Sequence, residues 1–278
     1  MNLKVEIREL SDYSCTLVVE GVKPYFINTL RRVMISKLPK MAIEDVEFHL
    51  GSVRDEDGKD YESVSPLFDE VLAHRLGLLP IPTDLERFNF KDQCKCGGEG
   101  CPSCTLMYVL NKKGPCTVYS GDLEPLAGEE FRIRDPLIPI VKLKEGQAPL
   151  IYATAVLGTG EMHSKWQAVC GIGYKYYPNV EIDQKKLKNP AKAAEACPQG
   201  ILKVVKKKLQ VTDIEKCTMC RMCEEEEPEA IRVWGDDSKF IFHFETDTSL
   251  DAKTALIYSL GIAEELFTDF KDSLTQIL

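Results

Sequence analysis

The chain has 278 residues and a formal net charge of -9, a length that suits about two domains. Its 44% hydrophobic and 28% charged residues are ordinary for a globular chain, and the acidic balance argues against a protein whose own task is gripping nucleic acid, since neutralising phosphates needs a basic surface. No apolar run approaches the roughly 20 residues that span a bilayer, and the opening Met1-Asn2-Leu3-Lys4-Val5-Glu6 alternates like a strand without a signal-peptide core, so a cytoplasmic chain with no membrane partner is expected.

Leu3 to Leu10 and Cys15 to Glu20 alternate as strands around the turn-like Ser11-Asp12, which predicts a hairpin. Pro24 then opens a helix with Phe26, Ile27, Leu30, Val33 and Met34 at helical spacing, closed by Pro39. Arg31 and Arg32 sit in its middle. Met41 to Leu50 reads as a strand, Gly51 to Asp60 as a polar run, and from there to about Tyr177 short strands are broken by Gly and Pro, an irregular middle domain.

Eleven cysteines in an intracellular chain point to metal ligation rather than disulfides. Cys94, Cys96, Cys101 and Cys104 can close a tetrahedral zinc site, with Gly97, Gly98 and Gly100 giving the backbone freedom to wrap a short loop around one ion. Free thiols in a flexible loop are the alternative, because C-x-C is less common than C-x2-C in zinc sites. Isolated Cys15, Cys116 and Cys170 read as small core hydrophobes.

The last third carries a half-kept ferredoxin pattern. A two-cluster ferredoxin repeats C-x2-C-x2-C-x3-C-P, and the fourth Cys of each run ligates the cluster of the other. Here Cys197-Pro198 and Glu227-Pro228 fix the register: one run reads Leu187, Pro190, Ala193 and Cys197, the other Cys217, Cys220, Cys223 and Glu227. Crossing the ligands gives one complete site, Cys197 with Cys217, Cys220 and Cys223, and one with no thiolate at all. One iron-sulfur cluster is expected, 4Fe-4S with 3Fe-4S as the three-ligand alternative. A zinc knuckle or a set of buried thiols stays open. A lone cluster in so long a chain is expected to be structural rather than an electron relay.

Lys185-Lys186 and Lys206-Lys207-Lys208 lie beside this region and are opposite in charge to Glu224-Glu225-Glu226-Glu227; such short runs read as a solvated face with local charge balancing, with contact to DNA or an acidic subunit as the alternative. Lys239 to Glu245 alternates as a strand, and Thr248-x-x-Asp251 resembles a capping box for one long helix from Asp251 to Leu278. Its stripe of Leu256, Leu260, Ala263, Phe267, Phe270, Leu274 and Ile277 runs along about 40 Å, more than short strands cover, so part of it is expected to face another chain. His49, His74, His163 and His243 lie without partner ligands at metal spacing; His163 alone suggests a role, a hydrogen bond within its segment.

Three segments carry a resemblance. Asn28-Thr29-Leu30-Arg31-Arg32-Val33 with Pro39-Lys40-Met41-Ala42-Ile43, then Asp69-Glu70-Val71-Leu72-Ala73-His74-Arg75-Leu76-Gly77-Leu78-Leu79-Pro80-Ile81, then Leu157-Gly158-Thr159-Gly160-Glu161-Met162-His163-Ser164-Lys165-Trp166, in that order and with both cysteine groups, resemble the alpha-type assembly subunits of multisubunit RNA polymerase. This family includes the archaeal D subunits, the bacterial alpha N-terminal domain and the eukaryotic third-largest subunit.

The resemblance implies an α+β fold with three parts. A discontinuous dimerisation domain, an antiparallel sheet with helices, would take residues 1–49 and 236–278. A β-rich insert domain would take 50–180, with the cysteine loop at 94–104, and a ferredoxin-like iron-sulfur domain 181–235. It implies heterodimerisation with small subunit L through the stripe of Leu256, Leu260, Phe267, Phe270 and Leu274, a platform for the large catalytic subunits with subunits N and P nearby, and DNA contact only through the assembled complex. Arg31 and Arg32 would face the large subunits or pin their helix, unless they form a solvated basic face. The chain has neither the carboxylate cluster that holds magnesium at a polymerase active site nor a phosphate-binding Gly-rich loop ending in Lys-Ser or Lys-Thr, so catalysis is expected elsewhere in the complex.

Overall fold

The computed structural model of the chain describes residues 3–54 and 58–277. Met1 and Asn2 of the opening strand pattern, residues 55–57 of the polar run and Leu278 of the terminal helix lie outside the described residues.

Strands β1 (Lys4–Leu10) and β2 (Ser14–Glu20) lead into helix α1 (Pro24–Ser36) and strand β3 (Pro39–Phe48). Then come β4 (Ser52–Arg54), β5 (Asp60–Glu62), α2 (Asp69–Gly77), β6 (Thr105–Asn111), β7 (Cys116–Tyr119), β8 (Glu124–Pro125), β9 (Pro139–Leu143), β10 (Leu150–Thr159) and the long β11 (Val169–Ile182). Helix α3 (Pro190–Glu195), β12 (Leu202–Val205), β13 (Lys208–Val211), α4 (Met222–Glu226), β14 (Ile231–Thr246) and α5 (Ala252–Ile277) complete the chain. The fold is α+β; among the described residues there are two four-stranded sheets, ordered β1-β2-β14-β11 and β3-β10-β6-β8, and three two-stranded ones.

Two compact units divide these elements. One comprises Met1–Glu9, Thr16–Thr29 and Ile172–His243, the other Leu10–Cys15, Leu30–Gly171 and Phe244–Leu278. The division falls within β1, β2, α1, β11 and β14, each of which is continuous. The expected strand Lys239–Glu245 is the second half of the 16-residue β14, in which the Asp236 carboxylate accepts from the amide and hydroxyl of Ser238 at 2.8 and 2.7 Å.

In the first unit, Ala193, Ile201, Leu202, Leu209, Ala230, Ile231 and Val233 form a small core together with Cys217 and Cys223. Such a core alone is thin for an independent fold. Tyr174 and Tyr176 add edge and tilted contacts to Phe240, with ring centroids 5.9 and 5.2 Å apart. Strand β1 lies at the sheet edge with Val5 and Ile7 exposed.

The second unit holds the larger core. Strand β10 pairs antiparallel with β3 on one side and β6 on the other. Leu72 and Leu76 of α2, Met41 and Ile43 of β3, and Leu106, Tyr108 and Leu110 of β6 share one buried cluster, the alternation of β6 delivering every second side chain to it. Tyr108, wholly buried, donates to the Phe131 carbonyl at 2.7 Å, so its polar end is satisfied.

The segment Leu157 to Trp166 explains its own composition. A Cβ on Gly158 would lie 2.4 Å from the Trp166 indole, and one on Gly160 would lie 2.1 Å from the Ile35 carbonyl. Only glycine permits either approach. Trp166 donates through Nε1 to the Val156 carbonyl at 3.1 Å, His163 Nδ1 accepts from the Lys165 amide at 3.1 Å, and Lys165 Nζ reaches the Ile43 carbonyl at 3.0 Å and pairs with Glu44. The expected hydrogen bond of His163 is thus a local cap, and the whole segment ties a turn to β3.

Helix α5 is anchored only at its start. Ala252, Ala255 and Ser259 are buried, whereas every residue from Glu264 to Ile277 is exposed. The cap is Asp251, whose Oδ1 accepts from the Thr254 amide at 2.8 Å. The capping-box expectation at Thr248 fails because Thr248 sits at φ +77° and its hydroxyl is buried without a partner. Of the three isolated cysteines, Cys15 is buried as expected, Cys116 is half-buried, and Cys170 is exposed near the end of its sheet rather than in a core.

Candidate metal centres

The loop bearing Cys94, Cys96, Cys101 and Cys104 runs from the turn Lys91–Gln93 into β6. Gly97, Gly98 and Gly100 take φ values of +70°, +88° and +96°, which let the loop fold back within eleven residues. The Gly97 amide donates to the Cys94 carbonyl at 3.0 Å, and the Cys104 amide to the Cys101 carbonyl at 2.9 Å. These turns bring all four sulfurs within 4.8 Å of one another. Sγ separations are 3.6 Å for Cys94–Cys101, 3.6 Å for Cys96–Cys104 and 3.8 Å for Cys101–Cys104. Zn–S bonds of about 2.3 Å in a tetrahedron require edges of about 3.8 Å, so the donor set fits one ion of that size.

The electrostatics agree with the geometry. Backbone N–H groups of Gly100 and Gly98 hold the Cys96 thiol down at about 6, while burial pushes Cys104 up to about 12. A thiol cage with one sulfur already poised as thiolate and another desolvated gains most from a bound cation. With four protein ligands no open coordination position remains, the arrangement of a structural rather than a catalytic site.

The second group is built differently. Cys197 follows α3, Cys217 and Cys220 lie in the loop before α4, and Cys223 is in α4. Together with Val180, Ile201, Leu202 and Val233 they line one small pocket. Among the described residues no thiol group other than the Cys94 loop meets the single-ion spacing. Four thiols around one apolar-walled cavity, set wider than ligands of a single ion, suit a polynuclear centre in which each cysteine binds a different metal.

Burial, and after it the neighbouring Cys197, push the Cys223 thiol up, so four anionic sulfurs would repel without a positive core. Met219 and Arg221 alternate with Cys220 at φ +56° and +62°. The Met219 amide donates to Cys217 Sγ at 3.4 Å. Concave backbone of this kind, left-handed at non-glycine residues, presents amides to an anion such as an iron-sulfur core.

The residues standing where a second cluster would be ligated fill that space themselves. Ala193 is fully buried, and Leu187 packs against the core that contains it. Glu227, 6% exposed, accepts from the amides of Asn189 and Lys188 at 2.6 and 3.1 Å. These amide bonds, Lys188 first, hold its carboxyl below the ordinary range. A carboxylate thus clamps the start of α3 to the end of α4. The register Glu227-Pro228 marked the position, but the amide partners nearly forty residues back carry no signal of their own.

The remaining site residues lie on helices. Arg31 is half-buried and engaged, Arg32 is exposed, and Ser36 Oγ donates to the Arg32 carbonyl at 2.8 Å. On α5, Leu256 is half-buried, while Leu260, Phe267, Phe270 and Leu274 are exposed, the two phenylalanines at 59% and 63%. Among the described residues no helix is long and apolar enough to cross a membrane. Sequence patterns missed Lys40, 3% exposed in β3, whose ammonium is paired with Asp247.

Residues 57–171 match the RNA polymerase Rpb3/RpoA insert domain. Over almost its whole length the chain is similar to proteins named DNA-directed RNA polymerase subunit Rpo3. It is 42% identical over 272 residues to that of Picrophilus torridus, covering 98% of this chain and 100% of the relative. It is 45% identical over 259 residues to that of Thermoplasma volcanium, covering 93% and 94%, and 40% identical over 271 residues to that of Methanosphaera stadtmanae, covering 95% of each. With identity this high over almost the whole chain, the chain belongs to the Rpo3 family of DNA-directed RNA polymerase subunits.

Proposed function

We propose that the chain is a non-catalytic assembly subunit of an archaeal DNA-dependent RNA polymerase, pairing with small subunit L and presenting the pair as the platform for the large catalytic subunits, with N and P nearby. The observation that carries this reading is the outer half of α5, where Leu266, Phe267, Phe270, Leu274 and Ile277 stand in water. A helix with that much exposed aliphatic and aromatic surface calls for an apolar partner. Residues 1–49 and 236–278 would form the dimerisation domain, 50–180 the insert and 181–235 the cluster domain. Arg31 and Arg32 would meet the large subunits or fix α1, and DNA would be reached through the assembled complex.

Within this role the two metal groups brace what is inserted. The Cys94 loop would hold zinc. Cys197, Cys217, Cys220 and Cys223 would hold an iron-sulfur cluster, 4Fe-4S or 3Fe-4S, that orders a unit whose own core is small. The chemistry supplied by that cluster is metal–thiolate bonding. Glu227, Ala193 and Leu187 take up the remaining space with protein groups. Catalysis is assigned to other subunits, since no magnesium-binding carboxylate motif occurs in the sequence.

Co-expression with the small partner tests the assembly reading. The pair is expected to co-purify one to one, and Phe267→Asp with Phe270→Asp to abolish the pair while leaving the circular dichroism of the chain unchanged; undiminished pairing would refute it. Replacing Cys217, Cys220 and Cys223 by Ser, with iron and sulfide measured per chain, tests the cluster separately. Folding and assembly untouched by loss of iron would defeat the structural role.

A further inference from the structure

Strands β12 and β13 form an isolated two-stranded ribbon with Leu202 opposite Val211 and Val205 opposite Lys208. Its turn is Lys206-Lys207, at φ +49° and +64°. A two-residue hairpin turn with both central residues left-handed is the type normally filled by Asn-Gly or Asp-Gly, because L side chains are strained there. Lysine at both positions therefore opposes the local rule, and a violation of that kind at an exposed tip points toward use.

The charge around the tip is uncompensated. Lys203, Lys206, Lys207 and Lys208 are all exposed, and among the described residues none takes part in an ion pair. The nearby acidic run does not serve them. Glu224 accepts from the Val233 amide at 3.2 Å, Glu226 pairs with Lys192 at 2.6 Å, and Glu227 is bound to the Lys188 and Asn189 amides. Gln184 bonds both the amide and the carbonyl of Leu209, at 3.1 and 2.7 Å, which sets exposed Lys185 beside the ribbon. Local charge balancing holds for Lys186, which pairs with Asp183 at 3.9 Å, but not for the Lys206-Lys207-Lys208 run.

We infer that the β12–β13 ribbon is a contact for the phosphate backbone of double-stranded DNA. Its composition favours phosphate over a protein partner. Protein interfaces are depleted in lysine and anchored by aromatic residues and arginine, and the ribbon has four lysines, no arginine and no aromatic ring. Lysine acts on phosphate as a point charge and reads no sequence, so the contact is independent of base sequence. Membership in a DNA-directed polymerase family supplies the duplex; the inference goes beyond the assembly role and does not depend on it.

The test uses the full metal-loaded chain and a fluorescent 30-base-pair duplex of arbitrary sequence, titrated at several salt concentrations. Each phosphate contact contributes about -0.9 to the slope of log K against log salt, so four lysines predict about -3.6. The decisive variant is K206N/K207G, which installs the preferred turn: its thermal midpoint should equal or exceed that of the parent while its slope becomes shallower by about 1.8. The charge-matched control K142Q/K144Q should leave the slope alone. Parental affinity and slope in K206N/K207G, equal weakening by the control, or no measurable binding at low salt would overturn the inference. So would poly-glutamate or single-stranded RNA competing as well as unlabelled duplex at equal charge, which would assign the ribbon to another partner.

Discussion

Lys40 lies in a segment that reads as strand, and its burial puts an ammonium where charge is costly unless paired. Asp247 supplies the partner, and its other oxygen accepts from the Ser249 amide and hydroxyl at 3.1 and 2.5 Å. Removing one member of such a pair strands the other. Lys40→Ala is therefore expected to cost about 3 kcal/mol, the low end for a broken buried pair, because Asp247 is a quarter exposed; urea denaturation of the full chain measures it. None of this was legible beforehand, since the partner is 207 residues away and nothing local distinguishes a paired lysine from a solvated one. The cysteines were legible for the opposite reason. Metal ligands are constrained to short spacings, so Cys94 to Cys104 announces its geometry in the order of its residues.

At the scale of elements, periodicity located α1, β3 and α5 to within a few residues, because each buries one face against a core, but it found only the second half of β14. The start of α5 falls within one residue of its expected place, but its cap is a different residue from the expected one. Asp251, not Thr248, satisfies the first turn. Burial works against its ionised form, but the hydroxyl and amide of Thr254 prevail and hold the carboxyl below its usual range. A carboxylate with a lowered folded pKa adds stability above its unfolded pKa of about 3.9, and that stability is lost as pH falls through the lower folded value. Asp251→Ala should thus cost about 1 kcal/mol at neutral pH. The difference from the parent should shrink steadily below pH ~4, followed by chemical denaturation at stepped pH, whereas Thr248→Ala should show no such pH-dependent difference.

Across the whole molecule, composition was accurate on average and silent about distribution. A net charge of -9 predicts an acidic surface, yet four exposed lysines without an ion pair among the described residues share one ribbon, while Glu224, Glu226 and Glu227 are taken up by amides and other cations. The division into two units was likewise hidden, since strands continuous through it leave no linker composition to read. Metal dependence should follow the units. Replacing Cys96 and Cys101 by Ser is expected to reduce bound zinc from about one to none per chain, a closed site needing all four ligands, while iron content stays unchanged; plasma emission spectrometry on the same sample reads both.

The bare outer turns of α5 also bear on supply within the cell. Surplus copies would display Phe267, Phe270 and Ile277 as the kind of greasy handle that quality-control machinery seizes. Their lifetime should then be set by how much partner is made. Pulse-chase labelling should show rapid turnover when the small partner is depleted, slowed by Phe267→Asp with Phe270→Asp even though that variant assembles nothing.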